Sequence, residues 1–199
     1  MNLPNKITLI RISLTVLIVV ILLFPFDAVG LTATKLFINE AIVVDLKYFI
    51  AGVLFIMASL TDFLDGYIAR KYKMVTDLGK MLDAIADKAL VNSALIILAH
   101  KGFIPVAVPV IIIFRDTIVD ALKMESSRKG KVVAAIKSGK IKTASMMVGL
   151  VLTFFYNLPF EFWNIRVADF LVYFATIMSI VSMVEYFNLN KKLILEPKE

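Results

Sequence analysis

Four aspartates in two pairs, Asp62 with Asp65 and Asp83 with Asp87, are the residues best suited to chemistry in this sequence. A helix would place each pair on one face, because residues three or four positions apart lie one turn from each other. Carboxylate ligands without histidine or cysteine favour hard cations such as Mg²⁺ or Mn²⁺. Four aspartates around two such ions suit a two-metal phosphoryl-transfer site. A proton or sodium relay in an ion-coupled transporter is the alternative that the spacing leaves open.

Small residues accompany both pairs at helical spacing. Gly66 and Ala69 follow Asp62 by four and seven residues, and Gly79 precedes Asp83 by four. Such residues leave space for a bulky ligand to lie against the helix backbone. The short basic link between the two stretches predicts antiparallel neighbouring helices that bring the four carboxylates together.

The elements that position these aspartates are expected to lie in a membrane. Of the 199 residues, 60% are hydrophobic, against about 45–50% in soluble domains, and the mean hydropathy is +0.86. A soluble fold of this size has too little interior to bury so much apolar surface. The lack of cysteine excludes disulfides and thiolate chemistry, and the single histidine, His100, excludes a histidine cluster. The net charge of +6 is distributed between apolar runs rather than along a stripe, so nucleic acid is not an expected partner.

Six uncharged runs predict the helices, at 12–26, 48–61, 89–99, 102–114, 143–160 and 170–184. A membrane span needs about 20 residues, so most of these runs reach that length only with ionisable residues at one end inside the helix. The sequence therefore predicts an all-α integral membrane protein with six transmembrane helices, in a single domain over residues 1–199. No small-residue cleavage site follows Pro25 and Phe26, so we expect the first run to remain as a span.

The basic residues predict an orientation. They concentrate at the N-terminus, in the 70–80 and 123–142 loops and in the C-terminal tail, whereas the alternate segments contain Lys35, Lys47, Lys101 and Arg166. By the positive-inside rule, both termini and the aspartate pairs face the cytoplasm from the plasma membrane. Pro159, Trp163 and the nearby phenylalanines predict an interfacial turn on the outer side.

The two aspartate stretches together form the pattern D-x-x-D-G-x-x-A-R-x8-G-x3-D-x3-D, from Asp62 to Asp87. This pattern resembles the signature of the CDP-alcohol phosphatidyltransferase family, and every position matches. The resemblance implies a six-helix membrane fold, a homodimer, and transfer of a phosphatidyl group from CDP-diacylglycerol to an alcohol with release of CMP. It also implies that Asp62, Asp65, Asp83 and Asp87 hold two Mg²⁺ or Mn²⁺ ions, and that Asp87 is in addition the general base.

The resemblance extends to residues that would bind the lipid donor. The stretch from Asn2 to Arg11 is similar to the family's short interfacial N-terminal helix, which helps to close the nucleotide pocket. The residues that the resemblance assigns to CDP-diacylglycerol are Asn5, Thr8, Gly66, Arg70, Thr76 and Gly79.

The second half of the chain predicts the acceptor. Residues 115–123 and 139–143 resemble the members that use sn-glycerol 3-phosphate, which implies a phosphate site formed by Arg115, Lys140 and Lys142. Guanidinium and ammonium groups are common phosphate ligands. Two alternatives remain, in which Arg115 pairs with a neighbouring aspartate and the lysines only follow the positive-inside rule.

Four positions depart from the family pattern in this half of the chain: Asp116, Asp120, Lys123 and Met146. They lie outside the aspartate motif but close to the predicted acceptor residues. Members that make phosphatidylinositol phosphate or cardiolipin therefore remain alternatives.

Overall fold

The computed structural model describes residues 2–26, 30, 35–38, 42–72, 76–129 and 136–195. These ranges contain six α-helices and a hairpin of two short strands. Their bounds are α1 Leu3–Leu23, β1 Lys35–Ile38, β2 Ile42–Asp45, α2 Leu46–Lys71, α3 Asp77–His100, α4 Ala107–Arg128, α5 Lys137–Phe154 and α6 Val167–Leu195.

The start of α1 differs from expectation. Pro4 lies in its first turn, where a missing N–H costs nothing. From Asn5 to Leu23 the sequence contains neither glycine nor proline, so no residue breaks the helix. The expected short interfacial helix is therefore not a separate element but the first turns of α1.

The two ends of the bundle differ in chemistry. At one end, Lys142 near the start of α5 pairs with Asp116 near the middle of α4. At the other, the rings of Tyr48, Phe103 and Tyr156 pack edge to face with centroids 4.8–6.0 Å apart. Burial raises the pKa of the Tyr156 phenol to about 12, so it stays neutral beside the backbone N–H of β2. We call these the aspartate end and the aromatic end.

The helices pack at close distances around a buried core. The α1 helix contacts both α2 and α3 more extensively than those two contact each other, and α5 pairs with α6. A Cβ on Gly52 would lie 2.9 Å from the Cβ of Phe154, so glycine is needed where α2 crosses α5. Phe55, Leu150 and Phe154 are fully buried in this region. Small residues that let helices approach are typical of membrane bundles.

Three helices in the described ranges are long and apolar enough to cross a membrane: Pro4–Leu23, Leu46–Ile68 and Val167–Lys191. Their outward side chains include Val16, Leu60 and Ile177, each more than half exposed. Such exposure of large apolar groups suits contact with lipid rather than water. These features identify a multi-pass membrane protein.

A short hairpin is the one element of the described ranges that the all-α prediction did not include, and the rest of the fold is helical as predicted. The strands pair antiparallel, with Lys35 opposite Asp45 and Phe37 opposite Val43. Residues 42–44 are Ile-Val-Val, and β-branched side chains favour extended backbone over helix. The predicted aromatic turn is present as a 3-10 helix, Phe160–Trp163, in which Phe162 and Trp163 are exposed.

Candidate active site

Three of the four motif aspartates meet at the aspartate end. Asp62 and Asp65 lie in the last turns of α2, and Asp83 lies in the second turn of α3. One carboxylate oxygen from each lies within 4.8 Å of the others. The side chain of Asp65 is buried, whereas half of the Asp83 side chain is exposed. We call this group the aspartate cluster.

Arg11 of α1 reaches into the aspartate cluster and contacts all three members. Its Nη1 lies 2.7 Å from an Asp62 oxygen and 2.8 Å from an Asp83 oxygen, and its Nη2 contacts Asp65. Thr8, one turn earlier on α1, donates a hydrogen bond to the same Asp65 carboxylate at 3.2 Å. Arg11 is fully buried, so this contact joins α1 to both motif helices in the interior of the bundle.

The aspartate cluster fits a divalent cation. Three carboxylates outnumber the one guanidinium among them, and like charges at such distances repel. Two lysines of the neighbouring Asp87 cleft pair with other carboxylates, Lys88 with Asp120 and Lys142 with Asp116. An excess of carboxylate oxygen with no softer donor is the ligand set that Mg²⁺ and Mn²⁺ prefer.

Asp87 is not among the three clustered carboxylates. It lies one turn beyond Asp83 on α3 and lines a narrow cleft with Lys88, Asp116 and Lys142. The carboxylate predicted to act as a base therefore stands beside the aspartate cluster, on the side that faces α4 and α5.

Three of the six predicted donor residues, Asn5, Thr76 and Gly79, lie together where α1 meets the start of α3. Thr76 caps α3, since its Oγ1 accepts a hydrogen bond from the Gly79 N–H at 3.0 Å. The Asn5 amide donates to the same Thr76 oxygen at 3.4 Å. Gly66 is partly buried on α2, and the Arg70 side chain lies outside the described part of the chain.

Substitution of Gly79 tests whether the contact between Asn5 and Thr76 serves donor binding. An alanine Cβ would lie 2.6 Å from Asn5 Oδ1 and 3.0 Å from Thr76 Oγ1, so the buried Asn5 amide has to move in Gly79→Ala. Loss of about one hydrogen bond predicts a rise of about fivefold in KM for the predicted donor, CDP-diacylglycerol, with KM for the predicted acceptor unchanged. Leu78→Ala, at an exposed neighbouring position, is the control. If the KM for the donor is unchanged in Gly79→Ala, the contact between Asn5 and Thr76 does not contribute to donor binding.

Arg115 is held by three neighbours rather than presented freely. Its Nη1 donates to Asp116 at 2.7 Å, its Nε donates to the Ser179 carbonyl at 3.3 Å, and its Nη2 donates to the Ser182 hydroxyl. The alternative prediction that Arg115 pairs with a neighbouring aspartate is thus confirmed for Asp116. Ser179 and Ser182 of α6 are the other two partners of Arg115. Asp116 also accepts from Lys142 at 3.0 Å, so one carboxylate joins two of the three predicted acceptor residues.

A basic cavity of about 460 Å³ opens beside this network. Arg115 and Lys140 line it together with Lys123, Thr143 and Tyr186. The Tyr186 ring lies under both cations, 5.8 Å from the Arg115 guanidinium and 5.2 Å from the Lys123 ammonium. Lys142 lines the cleft of Asp87 instead of this cavity, and Thr143 lines both the cleft and the cavity.

Sequence reasoning missed several of these residues as members of the site. Arg11 was predicted only as the last residue of the Asn2–Arg11 stretch and not as a partner of the aspartates, although Thr8, Arg11 and Thr15 lie at i, i+3 and i+7. All three are buried, so this polar stripe on an apolar helix was the available signal. Ser179 and Ser182 form a similar one-turn pair in α6, and no such signal exists for Tyr186.

A helical membrane bundle with a carboxylate cluster beside a basic cavity defines a class of membrane-embedded proteins equipped to handle phosphorylated ligands. Within that class the chain belongs to the CDP-alcohol phosphatidyltransferase family, whose model matches residues 1–184.

Curated relatives share almost the full length of the chain. A CDP-diacylglycerol–glycerol-3-phosphate 3-phosphatidyltransferase of Bacillus subtilis is 42% identical over 189 residues, which cover 95% of each chain. Proteins of the same name from Haemophilus influenzae and Mycoplasma pneumoniae are 32% and 31% identical. The matches cover 98% and 91% of this chain, and 96% and 84% of those relatives, respectively.

Proposed function

We propose that this chain transfers the phosphatidyl group of CDP-diacylglycerol to sn-glycerol 3-phosphate, giving phosphatidylglycerophosphate and CMP. The observation that carries the proposal is the position of Asp87. It lies one turn from the aspartate cluster, in a cleft that shares Thr143 with the basic cavity. A base between a metal-binding group and a phosphate-binding group suits attack by a phosphorylated alcohol on a diphosphate. The names of the three relatives describe the same reaction.

The donor binds at the junction of α1, α2 and α3. Asp62, Asp65, Asp83 and Asp87 would hold two divalent ions, Mg²⁺ or Mn²⁺, which supply polarisation of the diphosphate and offset charge on the leaving CMP. Asn5, Thr8, Gly66, Arg70, Thr76 and Gly79 orient the cytidine diphosphate. The acyl chains stay among the apolar helix faces, so the headgroups react at the membrane surface.

The acceptor binds in the basic cavity, where Arg115 and Lys140 contact its phosphate. Asp87 accepts the proton of the 1-hydroxyl group as that oxygen attacks the phosphorus attached to diacylglycerol. The bond from this phosphorus to the CMP oxygen breaks in the same displacement, and no covalent enzyme intermediate is needed. Lys142, paired with Asp116 in the cleft of Asp87, supplies positive charge between the two substrates.

Lys140→Ala is the cleanest test of the acceptor site. Lys140 is exposed at the cavity wall, whereas Arg115→Ala also removes contacts that join α4 to α6. Loss of one charge-assisted contact predicts an increase of about tenfold or more in KM for glycerol 3-phosphate, with a constant KM for CDP-diacylglycerol. Lys137→Ala, three residues earlier at the exposed start of α5, is the matched control. Equal kinetics in the two variants would remove Lys140 from acceptor binding.

An acceptor panel tests the reaction itself. Purified protein receives CDP-diacylglycerol with glycerol 3-phosphate, glycerol, inositol phosphate or phosphatidylglycerol, and CMP release is measured. We expect glycerol 3-phosphate to be the preferred acceptor and unphosphorylated glycerol to be poor. Preference for inositol phosphate or phosphatidylglycerol would reassign the acceptor, and no CMP release with any alcohol would contradict the transferase proposal.

The proposal includes a full topology: six spans formed by α1 to α6, one domain over residues 1–199, and the homodimer that the family resemblance implies. The aspartate end and both termini face the cytoplasm, in agreement with the positive-inside rule.

The absence of native cysteine makes this orientation testable. Lys101 lies at the aromatic end and Lys137 at the aspartate end, and both are exposed. A membrane-impermeant maleimide added to intact bacterial cells is expected to label Lys101→Cys, and to label Lys137→Cys only after permeabilisation. The reverse pattern would invert the proposed orientation.

A further inference from the structure

The contact of Arg11 with the aspartate cluster has the geometry of a counter-ion. Its Nη1 lies between two carboxylates of different helices, 2.7 Å from Asp62 and 2.8 Å from Asp83. Its Nη2 contacts Asp65, and its Nε lies 3.5 Å from the Thr61 hydroxyl. The side chain has 1% of its surface exposed, so the positive charge is fully committed to these neighbours.

Arg11 Nη1 contacts one oxygen of Asp62 and one of Asp83, and a divalent ion cannot bind the same two oxygens while Nη1 stays between them. Mg²⁺ binds carboxylate oxygen at about 2.1 Å and draws its ligands into an octahedron. An ion at that distance from both oxygens would occupy the space that Nη1 fills. The two cations would also repel each other, because the Arg11 guanidinium is buried and its charge is weakly screened.

We propose that Arg11 competes with divalent cations for Asp62 and Asp83, and that it withdraws from these two carboxylates when an ion binds. The inference rests on the proposed function, because it concerns the metal site of that reaction. Asp65 and Thr61 give the guanidinium a second set of partners, so it need not leave the site. Arg11 thus holds the carboxylates together when no ion is bound and makes ion binding weaker than the aspartates alone would make it.

A purely structural Arg11 predicts the opposite result. In that case ions bind through the outer oxygens of the carboxylates while the guanidinium stays in place and fixes their positions. Removal of Arg11 would then leave ion affinity unchanged or reduce it. The sign of the change in affinity therefore separates the two roles.

The experiment measures Mn²⁺ binding to the full chain in detergent without either substrate. Free Mn²⁺ is followed by electron paramagnetic resonance for the wild type, Arg11→Gln, Arg11→Lys and Lys6→Gln. Lys6→Gln is the matched control, because it removes one positive charge from an exposed position on the same helix. Elution volume and helix content establish that each variant is folded.

We expect Arg11→Gln to bind Mn²⁺ about tenfold more tightly than the wild type, since the charge-assisted contacts with Asp62 and Asp83 no longer have to be broken. The Mn²⁺ affinity of Arg11→Lys is expected to lie between those of the wild type and Arg11→Gln. A lysine ammonium keeps the charge but lacks the planar fork with which arginine contacts all three aspartates at once. Lys6→Gln should match the wild type. Weaker or equal binding in Arg11→Gln would overturn the proposal.

The wild-type chain provides a readout that does not depend on folding of Arg11→Gln. The side-chain Nε–H resonance of Arg11, assigned by its loss in Arg11→Lys, should shift when Mg²⁺ saturates the site. An unmoved resonance would overturn the proposal. If all four proteins bind Mn²⁺ equally, the inference fails and the proposed function stands, whereas no Mn²⁺ uptake by any of them would overturn both the inference and the proposed metal site.

Discussion

Asp87→Asn is expected to abolish phosphatidyl transfer. An amide cannot accept the proton of the attacking hydroxyl group, and it brings no negative charge to a bound ion. Loss of a general base alone costs about a hundredfold to ten-thousandfold in rate, so kcat should fall by at least about a hundredfold. The measurement is CMP release from CDP-diacylglycerol at saturating glycerol 3-phosphate.

The control for this substitution is Asp169→Asn, in the first turn of α6 at the aromatic end. It makes the same chemical change far from the aspartate cluster, so activity should be retained. Asp87 is only partly exposed in a cleft with Lys88 and Lys142, so the folded state of Asp87→Asn is verified by its elution volume and melting temperature. Comparable turnover in the two variants would exclude Asp87 from the reaction.

Removal of divalent cations is expected to have an equally large effect. Excess EDTA should reduce transfer to background, because the carboxylates that face the diphosphate would then repel it. Mg²⁺ or Mn²⁺ should restore activity, since both accept an all-oxygen ligand set. The protein should stay folded in EDTA, because Arg11 contacts all three clustered aspartates without an ion.

The readouts are CMP release and helix content, before and after addition of each cation. Chelation that unfolds the chain would show that the ions are needed for structure rather than for chemistry. Full activity in excess EDTA, together with no divalent metal in elemental analysis, would remove ions from the mechanism.

The approach of Asp62, Asp65 and Asp83 was predictable because it depends on local rules. Helical spacing places Asp62 and Asp65 on one face, and a short link forces the next helix to return beside them. Local rules do not say how a distant helix packs. The contact of Arg11 with the aspartate cluster spans 51 to 72 positions of sequence and depends on the angle at which α1 lies against α2 and α3, so sequence spacing did not reveal it.

The acceptor side shows a similar limit. The pairing of Arg115 with Asp116 was a foreseeable alternative, since the two residues are adjacent. Its contacts with Ser179 and Ser182 were not, because serines within an apolar run carry no sign of what they bind. The hairpin was missed for a different reason: its strands are four residues each, and short apolar runs fit a strand or a helix equally well.

The contacts of Arg115 determine when α4 can reach its final packing during synthesis of the chain. Ser179 and Ser182 lie 64 and 67 residues after Arg115, so the ribosome has yet to synthesise them when α4 emerges. In the proposed six-span topology α4 is a membrane segment, where an unpartnered arginine costs about 2.5–3.5 kcal/mol on insertion scales. Asp116 is the early partner of Arg115, and α6 brings the rest. The full set of Arg115 contacts therefore forms only after α6 has been made, so translation of α6 precedes the final packing of α4 in the bundle.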